Sequence, residues 1–183
     1  MIETMSKPLV CALLRHAEDL PWRMQDFGLM GLHLDEQRRY RLHLWDPSYS
    51  PGDPPIHDHP YDFTSTIVVG ELTNTRYEVE PTGDEFLRYH YTPPHEDQRR
   101  ADTVRLSGAA TTVAEGHRYR QLAHELHASW PQPGTVTVME CQWVRASELT
   151  VCIRNRGSWR SGHGRAATPK EIRSFATKAL DRF

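Results

Sequence analysis

Nine short runs rich in β-branched and aromatic residues constrain this chain more than any other feature: 29–34, 40–45, 63–69, 72–79, 86–91, 103–113, 118–122, 136–144 and 150–154. Turn residues separate them, at Asp35-Glu36, Pro47 to Pro55, Gly70, Pro81-Thr82-Gly83, Pro93-Pro94, Gly116 and Pro133-Gly134. Many short strands with few helices between them exclude a parallel α/β sheet and predict a mainly all-β sandwich or barrel over about 28–154. A helix is expected on each side. Residues 6–19 place Ser6 as cap, Pro8 in the first turn and Leu9, Leu13, Leu14 and Ala17 in an apolar stripe. Residues 168–182 open on Thr168-Pro169-Lys170-Glu171, a capping box with proline at the first helical position. Ile172, Phe175, Ala176 and Leu180 then form the buried face.

With 183 residues, one domain covering 1–183 is expected. The charge is balanced, 22 basic against 24 acidic side chains, so no overall field recruits nucleic acid or an anionic membrane. Cys11, Cys141 and Cys152 are odd in number and share no paired spacing, which predicts reduced, mostly buried thiols. The first twenty residues lack a basic region followed by a long apolar run, and a soluble cytoplasmic protein is expected. Residues 154–165, rich in Arg, Gly and Ser, read as a solvated connection to the last helix.

The chemistry begins at Pro55-Ile56-His57-Asp58-His59. In extended backbone, alternate side chains share a face, so His57 and His59 reach the same ion. Imidazole suits Fe, Ni, Cu, Zn and Mn. Such a pair is half of a metal site.

A second segment runs from Gly116 to His127, and together the two resemble the cupin superfamily. The first cupin motif has a glycine, two histidines one residue apart, an acidic residue and a closing glycine. Gly52, His57, His59 and Gly70 match it, with the leading gap one residue short and Phe63 in the acidic slot. The second motif places a metal histidine eleven residues after a glycine, as Gly116 and His127 do; Leu122, His124 and Pro131 replace its proline, second glycine and asparagine. The resemblance implies a double-stranded β-helix (jelly-roll barrel) over roughly 40–144, and a divalent ion on His57, His59 and His127. Replacement of the carboxylate by Phe63 gives a three-histidine set similar to that of the thiol dioxygenase (cysteine dioxygenase-like) branch. It implies Fe(II) first, with Ni, Zn or Mn as alternatives. Asp62, one position early, is expected to point away from the metal, and His124 competes with His127 as third ligand.

Arg41 and His43 share one face of 40–45, opposite Tyr40, Leu42 and Leu44. Either that face lines the cavity and Arg41 holds a substrate carboxylate, or it meets solvent. Tyr119 is either a donor to bound oxygen or a core residue. Of Arg76 and Tyr77, alternation lets only one face inward. The expected activity is a non-haem Fe(II) dioxygenase acting on a small polar molecule such as a thiol or a carboxylate. The alternatives are a metal-dependent isomerase or lyase and a non-catalytic ligand-binding cupin. A homodimer is the expected assembly.

Overall fold

Alternation along the strand Tyr61–Val69 shows how the sequence builds the molecule. Tyr61, Phe63, Ser65 and Ile67 are buried, while Asp62, Thr64 and Thr66 between them are partly exposed. The computed structural model describes residues 6–25, 27–50, 52–91, 99–143, 149–154 and 164–183. Their strands are β1 Arg23–Gln25, β2 Leu29–His33, β3 Tyr40–Trp45, β4 Ile56–His57, β5 Tyr61–Val69, β6 Glu71–Tyr91, β7 Arg99–Ala114, β8 Arg118–Gln121, β9 Leu126–Pro131, β10 Thr135–Trp143, β11 Leu149–Ile153 and β12 Arg165–Ala166. Two helices accompany them, α1 Lys7–Arg15 and α2 Pro169–Leu180.

The strands form two antiparallel sheets, a β-sandwich of jelly-roll type. One sheet has the order β12-β1-β2-β3-β10-β5-β8 and the other β11-β4-β9-β6-β7, with β11 also pairing β6. The two faces of the larger sheet differ in chemistry. Met30, Leu32, Leu42, Leu44 and Val136 point outward and pack under Val10 and Leu14 of α1 and Ile172, Phe175, Ala176 and Ala179 of α2. The opposite face carries His43, Ser65, Thr137, Met139 and Cys141, all buried, and meets the smaller sheet. The largest apolar cluster therefore lies under the helices, and the polar interior lies between the sheets.

Several expectations change in detail. The first helix stops at Arg15, and a 3-10 turn covers Ala17–Asp19. Ser6 occupies the cap position without a side-chain cap bond. Val10 takes the buried place expected of Leu9, which is 49% exposed. Pro81-Thr82-Gly83 does not end a strand. Val79 and Asp84 both oppose Leu106, so the residues between them form a bulge in a continuous β6. Strands β1, β4, β9 and β12 were not among the expected runs. The connection 154–165 lies mostly outside the described residues, Arg156 and Arg160 included; Arg154 stacks on the Phe86 ring at 4.9 Å. No helix among the described residues is long and apolar enough to cross a membrane.

The capping box of α2 forms as written: Thr168 N donates to Glu171 Oε2 at 2.8 Å and Glu171 N to Thr168 Oγ1 at 3.4 Å. Arg165 also clasps the Glu171 carboxylate, and this pairing, with the Thr168 donors behind it, pulls its pKa down to about 2. A depressed carboxyl pKa stabilises the fold above its ordinary value of 4.5, and that contribution is lost as pH falls toward about 2. Glu171→Gln is therefore expected to flatten the fall in stability over that window. Thermal unfolding against pH checks this, and parallel curves for the two proteins would contradict it.

Candidate metal centre

Three strands of the smaller sheet bring the histidines together. His57 on β4 pairs directly with His127 on β9, and His127 pairs with Arg76 on β6. Directly opposed residues point to one side of a sheet, so the two imidazoles lie side by side with ring centroids 4.8 Å apart. Strand β4 ends at His57, and the chain turns toward the other sheet. His59 follows, its ring 4.8 Å from His57 and 5.2 Å from His127. The ligand atoms of all three lie within 4.8 Å of one another, and among the described residues no carboxylate or thiol joins them.

Hydrogen bonds prepare two of these rings as ligands. His57 Nδ1 lies 3.1 Å from the Pro55 carbonyl, and His127 Nδ1 lies 2.8 Å from Asn74 Oδ1. Each acceptor places the proton on Nδ1 and leaves the Nε2 lone pair free. His59 Nε2 stands 3.1 Å from His127 Nε2, so without metal the His59 N–H donates to its neighbour. Burial pushes all three imidazoles below the usual histidine range, His59 and His127 far below it. Mutual repulsion against protonating neighbouring groups acts the same way: His57, then His127 and Arg41, on His59, and His57, then Arg76, on His127. Neutral rings with convergent lone pairs are what a divalent transition metal requires, so the donor set fits such an ion.

Aromatic side chains wall the cluster. Phe63, in the slot that resembles the cupin carboxylate position, is 3% exposed and packs on His59 at 5.2 Å and His127 at 5.7 Å. Phe27 stacks over His57 at 6.4 Å, and Tyr61 lies along His59 at 5.2 Å. The Tyr61 hydroxyl accepts from Arg41 Nη1 at 2.8 Å, while Arg41 Nε is buried with no hydrogen-bond partner among the described residues. The face of β3 bearing Arg41 and His43 thus lines the interior rather than meeting solvent. Burial, with Arg41 and His33 nearby, takes His43 down to about 3, so it stays neutral.

The remaining candidates stand further out. Tyr119 is separated from the histidines by Phe63, whose ring lies 6.0 Å from it, and its hydroxyl bonds with Ser129 and Ser65. His124 is 53% exposed, its Nδ1 3.8 Å from Asp58 Oδ2. Asp62 turns away, as expected: it accepts from Ala123 N at 2.9 Å and pairs with Arg120 at 2.8 Å. Asp58, between the two ligand histidines, also points away and accepts from Thr150 N at 2.7 Å, tying the loop to β11. Arg76 projects on the same side as His127 but remains exposed, and Tyr77 packs on the other face with Phe86. Cys141 and Cys152 are free and buried, their thiols pushed by burial up to about 11 and about 12.

Two glycines and one histidine explain the spacing of the sequence motif. Gly70 has φ +85°, and a Cβ there would lie 2.6 Å from Thr135 Oγ1. Gly116 turns with φ +79°. His124 stands where the second cupin motif has a further glycine, and it adopts φ +63°, a backbone that glycine favours. Tyr61, Asn74 and Gln121 were missed from sequence. Asn74 and Gln121 share the alternation phase of Leu72 and Tyr119, and polar residues in a buried phase were the available signal. No family model matches the chain, and no curated protein matches it.

Proposed function

We propose that this chain is a cupin, one domain over 1–183, in which His57, His59 and His127 hold Fe(II), and that it acts as a dioxygenase on a small anionic substrate. The observation that carries this reading is the ligand set itself: three neutral imidazoles, with Phe63 where a fourth, carboxylate ligand would sit. When bound, the metal supplies a redox-active Lewis acid with its double positive charge undiminished by protein ligands.

The surrounding side chains do the rest. Arg41 offers its buried Nε, without a hydrogen-bond partner among the described residues, and its guanidinium charge to a substrate carboxylate, one aromatic ring away from His59. Arg76 adds positive charge at the exposed side of His127. Tyr61, whose pKa burial raises, keeps its proton and can donate to an oxygen atom in the site. Tyr119 supports Phe63 from behind. Phe27, Tyr61 and Phe63 keep water from the reacting atoms. Both oxygen atoms enter the product, as when a thiol takes up one dioxygen to become a sulfinic acid, so no separate reductant is needed.

The test is oxygen uptake by protein loaded anaerobically with Fe(II) and offered small mercapto acids and aminothiols. Uptake should match substrate loss one for one. Arg41→Met should keep the metal and lower kcat/KM roughly 10- to 150-fold, the value of a lost charge-assisted hydrogen bond of about 1.5–3 kcal/mol. Anaerobic turnover with Zn(II) or Mn(II) would point to an isomerase or lyase, and ligand binding without turnover to a sensor. Either outcome overturns the dioxygenase reading.

A further inference from the structure

One buried polar chain leads away from the His127 ring and continues beyond its contact with Asn74. His127 Nδ1 meets Asn74 Oδ1 at 2.8 Å, and Asn74 Nδ2 donates to Gln121 Oε1 at 3.2 Å. Gln121 Nε2 then donates to Glu125 Oε2 at 3.1 Å and to the Glu125 carbonyl at 3.2 Å. Asn74 is 4% exposed and Gln121 not at all, so neither amide exchanges its partners for water. The carboxylate end is held in turn. Leu122 N donates to Glu125 Oε2 at 2.9 Å, and Arg76 Nε stands 4.0 Å from the same oxygen.

The direction of this chain is fixed from its far end. The Glu125 backbone carbonyl only accepts, so the Gln121 amide must turn its NH2 toward Glu125 and its oxygen toward Asn74. Asn74 must then give its NH2 to Gln121 and present its oxygen to His127. An oxygen at that place demands a proton on His127 Nδ1, and the ring is left with its lone pair on Nε2, facing His57 and His59. A single buried amide beside a histidine serves either tautomer by turning over; two amides locked to a backbone carbonyl cannot.

We propose that Glu125, Gln121 and Asn74 are positioning residues that set the tautomer and orientation of His127 as an Nε2 metal ligand. The inference rests on the three-histidine metal site proposed above, but half of its test needs no metal. Polar groups behind a ligand histidine typically contribute 10- to 100-fold in metal affinity.

The experiment uses the full chain with Asn74→Leu, Gln121→Met and Glu125→Gln, the last on a part-exposed side chain. The first readout is the long-range 1H–15N spectrum of metal-stripped protein, with His127 assigned by its absence from His127→Ala. Wild type should show the Nδ1–H form, and all three variants should move toward the Nε2–H form, least in Glu125→Gln. The second readout is Co(II) affinity by competition titration, expected to fall roughly 10- to 100-fold in Asn74→Leu and Gln121→Met. Wild-type tautomer and wild-type affinity in the variants would overturn the relay and leave the metal site standing. If wild type binds no Co(II), the metal reading falls, and the tautomer spectrum alone decides the relay. Should the two core variants fail to fold, the wild-type spectrum decides: an Nε2–H His127 in metal-stripped protein overturns it.

Discussion

A chain carrying His57→Ala and His59→Ala is expected to bind no divalent metal under conditions in which the wild type takes up about one equivalent. Each imidazole is one of three donors within 4.8 Å, and the double variant leaves a single ring that cannot chelate. A structural zinc site is worth roughly 10–16 kcal/mol over its ligands, so losing two ligands should weaken binding by well over about a thousandfold. The fold should survive. The largest apolar cluster sits on the far face of the larger sheet, beneath α1 and α2, and contains neither histidine. Metal content by plasma emission spectrometry, with unfolding in chelator as the control, separates the two effects. Retention of one equivalent by a folded variant would place the ion elsewhere and remove the basis of the proposed function.

How much of this was legible in the sequence depends on how local the determinant is. The Thr168 capping box and β3, Tyr40–Trp45, were readable because a few neighbouring residues decide them. The pairing of His57 with His59 was readable because the two lie two residues apart, but β4 ends at His57, so His59 reaches the cluster from the turn that follows and not by alternation along one strand. His127 needed the motif interval, because its own strand β9, Leu126–Pro131, has no clean alternation and ends in proline. Strand β6 misled. Proline and glycine normally break strands, but here Leu106 pairs with Val79 and again with Asp84, and the intervening residues form a bulge without ending the ladder. Leu9 misled differently: it fits a helical stripe, but the stripe that α2 covers runs through Val10 and Leu14. Arg41 was left open because nothing along β3 says which face meets the second sheet; the helices decide it by covering Leu42 and Leu44. Tyr61, Asn74 and the segment from Gln121 to Glu125 are far apart in the chain, and only tertiary geometry joins them.

Phe63→Glu is the substitution that asks most of the site. In metal-free protein it should destabilise strongly. Truncating a buried phenylalanine costs about 3–5 kcal/mol, and a carboxyl group at this buried position, against the His59 and His127 rings, has lost its water. At about 2–4 °C per kcal/mol for a chain of this size, the melting temperature in chelator should fall by roughly 10 °C. Metal should reverse the deficit. A glutamate at a position that packs on both His59 and His127 adds an anionic donor to a neutral set, and an ion held mainly by the folded state stabilises by about 4 kcal/mol at a thousand times its dissociation constant. The rise in melting temperature on adding Mn(II) or Zn(II) should therefore be larger in Phe63→Glu than in wild type. The same change should abolish oxygen uptake, because the new carboxylate competes for space with an anionic substrate and cancels part of the charge that attracts it. A variant that melts at the same low temperature with and without metal would show that position 63 does not face the ion, and the comparison between Phe63 and the cupin carboxylate would fail with it.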